Sequence, residues 1–358
     1  MGIVFFFGAG ASNGESLQPL QNQREKTRKH EPAAYKATPP LATGFFTKAL
    51  YDGMGRDPNS VEENFKPVFE YTRSHFAIDD RLGEGKWLDL NIEDVFSSIE
   101  LHREFVSPES DTHARLTLAR NLLTRYIQRI IGFSTQHKWG MHYRKVKQFA
   151  MERRDTTVIN LNWDLLLDQE FVDHGNYLVG PYGHFENLLI PSDIVPRKVG
   201  YSDPLYLKLH GSLNWFQCSN PSCSQNSRIL ISHYIDDCLY RVEGLELGGE
   251  LRCKSCASEM IPFIVPPILK KPITGNQVLR TIWGHAMQKL KEASVLVVVG
   301  FSAAPSDFYA RWLLRSAVGT REKREVDVYV INPTNDPNSE YHQDFARRMA
   351  TVFPRGYD

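Results

Sequence analysis

Five short runs of apolar, largely β-branched residues are spread along the chain, at residues 2–7, 156–161, 205–209, 295–299 and 326–331. Within them apolar residues run on almost without a break rather than alternating with polar ones. Continuous apolarity over so short a length belongs to strands covered on both faces, the usual condition of a parallel sheet. Segments with helical spacing separate most of the runs; residues 306–318 follow the fourth and residues 339–349 the fifth. Such alternation predicts a doubly wound α/β core.

Two segments interrupt that core. Between residues 43 and 154 the pattern is helical: Leu116, Ala119, Leu123, Tyr126, Ile127, Ile130 and Ile131 recur at helix spacing, with Gly132 as the expected end. Asn91 is a good first residue for a helix that carries Val95, Phe96 and Ile99. The second interruption, residues 215–262, holds most of the cysteines. Residues 14–42 are polar and proline-bearing and read as a loop. The expected division is therefore 1–42 as the opening of the core, 43–154 as a helical insertion and 155–214 as core. Residues 215–262 form a cysteine module, and 263–358 complete the core. A chain of 358 residues has room for this, at about 150 residues per domain.

Composition excludes several functions. The 42 Lys and Arg balance the 42 Asp and Glu, so no overall field draws in nucleic acid or an anionic membrane. Direct nucleic-acid binding is not expected; a basic cluster at Arg144, Lys145, Lys147, Arg153 and Arg154 reads as a solvated helix face. The longest apolar stretch falls well short of the ~20 residues that span a bilayer. The first residues lack the basic start of a signal peptide, and a cytoplasmic protein is expected. Five cysteines, an odd number, argue for a metal site rather than disulfides.

Polar residues follow each apolar run. Gly8, Ala9, Gly10 and Ser12 come after the first. Glycines there let a backbone approach a phosphate, and N–H groups at a helix start bind anions. The dinucleotide fingerprint G-x-G-x-x-G is not completed, because Asn13 stands at the third glycine position. A plain tight turn would use the same glycines. Asn162 and Asp164 follow the second run, where they would meet a ligand or equally cap a helix. His210, with Gly211 behind it, follows the third and suits a general base near neutral pH. Gly300, Ser302 and Asp307 follow the fourth run and Asn332 the fifth. From the same rim they can hydrogen-bond a ribose or a phosphate, although turns and caps favour the same residue types. Cys218 and Cys223, with Cys253 and Cys256, make two close pairs. Four thiolates form a closed tetrahedral zinc site, structural rather than catalytic, with a hairpin expected over residues 228–249. Cys238 reads as a small buried filler.

In this order the motifs resemble the sirtuin (SIR2) superfamily along nearly the whole chain. The resemblance implies a Rossmann-like NAD-binding domain with helical and zinc-bearing insertions. It implies that Asn162 and His210 are catalytic and that Asp164 holds the nicotinamide amide. Three departures stand against the deacylases of that family. No Asp-Phe-Arg stretch follows the glycine loop; Leu161 stands where they have Gln; and Pro266-Pro267 would strip donors from the strand that binds their acyl-lysine peptide. The chain is more similar to the SIR2-like NAD hydrolases of prokaryotic anti-phage defence. Those share the Gly-Ala-Gly-Ala-Ser opening, a segment like Ile92-Glu93-Asp94-Val95 and a Lys-Leu-His-Gly-Ser strand end. That likeness implies NAD+ as substrate, ADP-ribose and nicotinamide as products, and one structural Zn2+ per chain. It also implies self-assembly or a partner such as a HerA-type ATPase or a short Argonaute. An NAD-dependent deacylase, and a non-catalytic nucleotide- or nucleic-acid-binding module, are the rival readings.

Overall fold

The computed structural model describes residues 2–15, 17–19, 39–53, 57–135, 138–153, 155–173, 176–177, 188–189, 204–226, 228–231, 252–265, 276–322, 325–332 and 339–358. Five parallel strands form the central sheet: β1 (Gly2–Phe7), β2 (Thr156–Asn160), β3 (Leu205–Lys208), β4 (Ala293–Val299) and β5 (Asp327–Ile331). Their spatial order is β5-β4-β1-β2-β3. The chain first adds strands on one side of β1, then crosses back and adds two on the other. The reversal at β1 leaves a crevice beyond the carboxyl ends of the strands, the usual ligand position in doubly wound sheets.

The helices that connect and cover the sheet are α1 (Ala9–Asn13), α2 (Ile92–Phe105), α3 (Asp111–Thr135), α4 (Met141–Glu152), α5 (Leu166–Phe171), α6 (Gln277–Glu292), α7 (Phe308–Leu314) and α8 (Glu340–Val352). Strand residues alternate between the two faces. Phe6, Ile159, Leu207 and Leu296 pack with Ile282 and Ala286 of α6. Phe7, Val158 and Tyr206 pack with Tyr143 and Ala150 of α4. Both faces are buried, which is why the strands read as unbroken apolar runs. Each fully buried side chain of this kind stabilises the fold by about 1.5–3 kcal/mol.

The helical insertion has its own core, in which Phe46, Phe69, Trp87 and Tyr126 meet ring to ring. Asn91 caps α2 by accepting from the Glu93 amide at 2.8 Å. Gly132 does not end α3, as its type suggested. The helix continues to Thr135, and the Ser134 and Thr135 hydroxyls both bond the Ile131 carbonyl, at 2.9 and 2.8 Å. Packing outweighs the ~1 kcal/mol a helical glycine costs. Nor are residues 14–42 entirely loop: Leu17–Pro19 pairs antiparallel with Lys138–Gly140. The segment expected as one helix over 306–318 begins as a 3-10 turn at Pro305–Asp307, continues as α7 and ends in a π-turn at Arg315–Gly319.

A second sheet grows from the end of β3. The strand Gly211–Cys218 pairs antiparallel with Met260–Ile264 on one side and Ile229–Ile231 on the other. Cys238, Arg154, Pro266, Pro267 and all but the start of the expected hairpin lie outside the described residues. No helix among the described residues is long and apolar enough to cross a membrane.

Candidate functional site

Two loops touch at the reversal point of the sheet. A Cβ on Gly8 or Gly10 would stand 2.7 or 2.9 Å from the Gly300 carbonyl oxygen. A Cβ on Gly300, whose φ is +62°, would stand 2.0 Å from the Ala11 nitrogen. The Gly10 amide instead donates to the Gly300 carbonyl at 2.9 Å. These glycines let the loops after β1 and β4 close on each other, backbone to backbone. The contact makes the floor of a cavity of about 310 Å³.

Loops after all five strands line this cavity. Gly8, Ala9, Gly10 and Ser12 come from β1, Asn162 and Asp164 from β2, and His210 from β3. Gly300, Ser302 and Asp307 come from β4, and Asn332 from β5. The residues singled out in the sequence are thus brought together at one place. Others were not anticipated. Phe45, Asn91 and Glu93 reach the cavity from the helical insertion, Trp163 from the β2 loop, and Tyr341 and Arg348 from α8.

Asn162 is buried, and its two amide atoms have different fates. Its Nδ2 donates to Ser12 Oγ at 2.9 Å, and Ser12 Oγ lies 2.8 Å from the Tyr143 hydroxyl. Its Oδ1 is buried and has no protein partner. The Asn162 amide nitrogen donates to Asn160 Oδ1 at 2.9 Å, which fixes the turn that presents the side chain. Asn160 Nδ2 donates to Tyr206, whose hydroxyl donates to Asp168 Oδ2. Lys208, fully buried, donates to the Asp168 carboxylate at 2.9 Å and to the Asp164 carbonyl at 2.6 Å. A buried polar network therefore holds the β2 loop in place.

Asp164 does cap α5, with Oδ1 accepting from the Leu166 amide at 3.0 Å, and it lines the cavity as well. Burial raises its carboxyl above the usual range, only partly offset by the Lys208 ammonium. Burial likewise raises the Tyr143 hydroxyl well above its usual value, with the Asp164 charge adding to the effect. His210 is buried, its ring 6.2 Å from that of Trp283. Trp283 is held in turn by an Nε1 bond to the Leu209 carbonyl at 3.0 Å. Gly211 has φ +74°, and any Cβ there would meet the Phe263 carbonyl oxygen at 2.3 Å. That positive φ turns the chain sharply after His210.

The four cysteines converge away from this cavity. Cys218, Cys223, Cys253 and Cys256 have their sulfurs within 4.8 Å of one another, with Cys218 to Cys256 at 3.5 Å and Cys223 to Cys253 at 3.8 Å. Tetrahedral Zn–S bonds of about 2.3 Å place sulfurs about 3.8 Å apart. The donor set and its spacing fit one four-coordinate ion.

No family model matches the chain, and no curated protein is similar to it. Among solved structures, a Sir2 homologue in complex with ADP-ribose overlays with a TM-score of 0.40 at 13% identity, covering 98% of this chain and 91% of that one. The structure of Sir2Tm bound to a propionylated peptide overlays with 0.41 at 13% identity, covering 99% and 94%. A Sir2 homologue–NAD complex gives 0.38 at 15% identity, covering 81% and 93%. The structural neighbours are thus Sir2 homologues at low sequence identity.

Proposed function

We propose that the chain is an NAD+ hydrolase that cleaves NAD+ to nicotinamide and ADP-ribose. The observation that carries this reading is Asn162: Nδ2 is tied to Ser12, while Oδ1 is an unpartnered acceptor in a cavity it shares with His210. A buried acceptor without a partner calls for a donor from a ligand. A ribose hydroxyl or an attacking water supplies one.

The bond to nicotinamide breaks through an oxocarbenium-like state, as in glycoside hydrolysis, and the leaving group departs neutral. Oriented dipoles around the developing cation lower its energy. In this reading Asn162 Oδ1 holds the ribose and the water, and His210 takes the proton from water or from a ribose hydroxyl. Asp164 orients the carboxamide. The glycine loops, Ser302, Asp307 and Asn332 hold the rest of the dinucleotide. Cys218, Cys223, Cys253 and Cys256 would hold one structural Zn2+, which braces the second sheet and takes no part in the reaction.

With no acyl-lysine to intercept the cation, water completes the reaction. The cellular role we assign is that of an NAD-depleting effector in anti-phage defence, kept silent until self-assembly or a partner protein releases it. The support is the motif order and the Ile92-Glu93-Asp94-Val95 segment, whose Ile92 and Glu93 line the cavity.

The test is nicotinamide release by purified protein given NAD+, alone, with proteins encoded beside it, and with an acetyl-lysine peptide. Asn162→Ala and His210→Ala are each expected to abolish release with melting temperatures within a few degrees of the parent, because both side chains border a cavity rather than fill a core. Undiminished turnover in either variant sinks the mechanism. Peptide-dependent formation of acetylated ADP-ribose would replace the hydrolase with a deacylase.

A further inference from the structure

Tyr143 stands outside every strand-end motif, on α4, and does not line the cavity. Yet its hydroxyl lies 2.8 Å from Ser12 Oγ, to which Asn162 Nδ2 donates at 2.9 Å. All three residues are buried. Tyr143 is itself held from several sides. Its ring meets that of Phe7 in β1 edge to face, with centroids 5.7 Å apart. His142, the residue before it, gives its backbone amide to the buried Glu15 carboxylate at 2.8 Å. A Cβ on Gly140 would stand 2.9 Å from the Tyr143 ring, so that glycine leaves the ring its room. Two successive residues of α4 thus clamp the segment that follows β1.

An asparagine amide can face a hydroxyl in two ways, because a hydroxyl both donates and accepts. With Nδ2 toward Ser12, Oδ1 is left to the cavity. Turned over, the amide would offer its NH2 to the cavity and its oxygen to Ser12. Which way it sits depends on where the Ser12 proton goes. If Ser12 donates to Tyr143, the proton is spent on that bond. If Tyr143 donates to Ser12, the Ser12 proton is left for the Asp164 carboxylate. Burial raises that carboxyl, and a hydrogen bond from Ser12 is among the effects that bring it back down. In neither case does the Ser12 proton point at Asn162, so only the NH2 can face Ser12. Without the phenol, the serine proton is free to turn to Asn162 Oδ1.

We propose that Tyr143 is a positioning residue: by committing the Ser12 hydroxyl it holds the Asn162 amide with Oδ1 in the cavity. Its bearing on turnover rests on the reading of the cavity as an NAD+ hydrolase site; its hold on the amide does not.

The experiment pairs kinetics with NMR of protein carrying isotope-labelled asparagine, in the parent and in Tyr143→Phe, which removes the hydroxyl and keeps the ring. The Asn162 side-chain signal is identified by its loss in Asn162→Ala. Its NH2 protons are expected to exchange with solvent roughly ten-fold faster in Tyr143→Phe than in the parent, the effect of about one hydrogen bond. Nicotinamide release is measured for each protein alone and with the proteins encoded beside it. Tyr143→Phe is expected to lower kcat roughly ten-fold and leave KM for NAD+ near the parent's, because the amide orientation serves the reacting centre rather than overall binding. Its melting temperature is expected to stay within a few degrees of the parent, which a loosened fold would not allow. A parent-like exchange rate or a parent-like kcat in Tyr143→Phe overturns the proposal. If the parent releases no nicotinamide while the amide responds as expected, the NAD+ reading fails and the positioning of Asn162 stands.

Discussion

Asp164 shows how one side chain serves structure and site together, and what that costs. It caps α5 and borders the cavity, and burial holds its carboxyl above the usual range. A carboxyl whose pKa is raised on folding binds its proton more tightly in the native state than in the unfolded chain. Its contribution is favourable below the unfolded pKa of about 4 and is lost as pH rises through the higher native value. Asp164→Asn keeps the capping oxygen and removes the charge. The variant is therefore expected to melt higher than the parent, by a margin that widens as pH is raised from about 4 across that window. Melting curves at a series of pH values check this; a margin independent of pH would show that the carboxylate is not penalised. Asn162, by contrast, gains nothing for the fold from its unpartnered Oδ1, and in the proposed reading a ligand supplies the missing donor.

At the scale of elements, the loops after β1 and β4 depend on each other. Gly300→Ala places a Cβ against the Ala11 backbone and forces a positive φ on a residue that avoids it. The expected cost is about 2 kcal/mol or more, read as a lower denaturant midpoint, together with loss of ADP-ribose binding. A midpoint unchanged from the parent would mean that the two loops part easily. The same scale shows what could be read beforehand. The central strands were legible because burial on both faces writes itself as continuous apolar runs, and Asn91 was legible as a cap because capping is local. The strand at Leu17–Pro19 was not, since its pairing with Lys138–Gly140 is made across the fold. Gly132 misled because residue type was weighed without packing. Of the cavity, the strand-end residues were visible, since topology alone puts them on one rim. Phe45, Glu93 and Arg348 were not, because a residue on a helix acquires its place only when the helix is docked.

Over the whole molecule, the second sheet is joined both to the cysteine cluster, through Cys218, and to the helical insertion. Arg125 of α3 pairs with Glu259, between Cys256 and the strand Met260–Ile264, and Gln128 of α3 donates to the Leu213 carbonyl at 3.2 Å. The purified protein is expected to carry one zinc per chain. Cys253→Ser removes a buried ligand whose binding energy is part of folding. It is expected to lose the metal and to melt well below the parent or aggregate. Metal analysis of the parent showing no zinc, or a fully stable variant, would overturn the assignment.

The strand Gly211–Cys218 starts beside His210 and ends in a sulfur of the cluster. Its partner runs the other way, with Met260 opposite Cys218 and Pro262 opposite Phe216 in regular register, and an irregularity before Ile264, which lies opposite Gly211. Side chains change face at every residue of a strand, so deleting one residue from the regularly paired stretch Phe216–Cys218 turns the positions beyond it to the wrong side. The Cys218 thiol then leaves the cluster. The strand thus works as a ruler only over its last residues, and a natural variant that gains or loses a residue there is expected to give up the cysteine cluster, whereas the irregular stretch nearer His210 has slack to take up such a change.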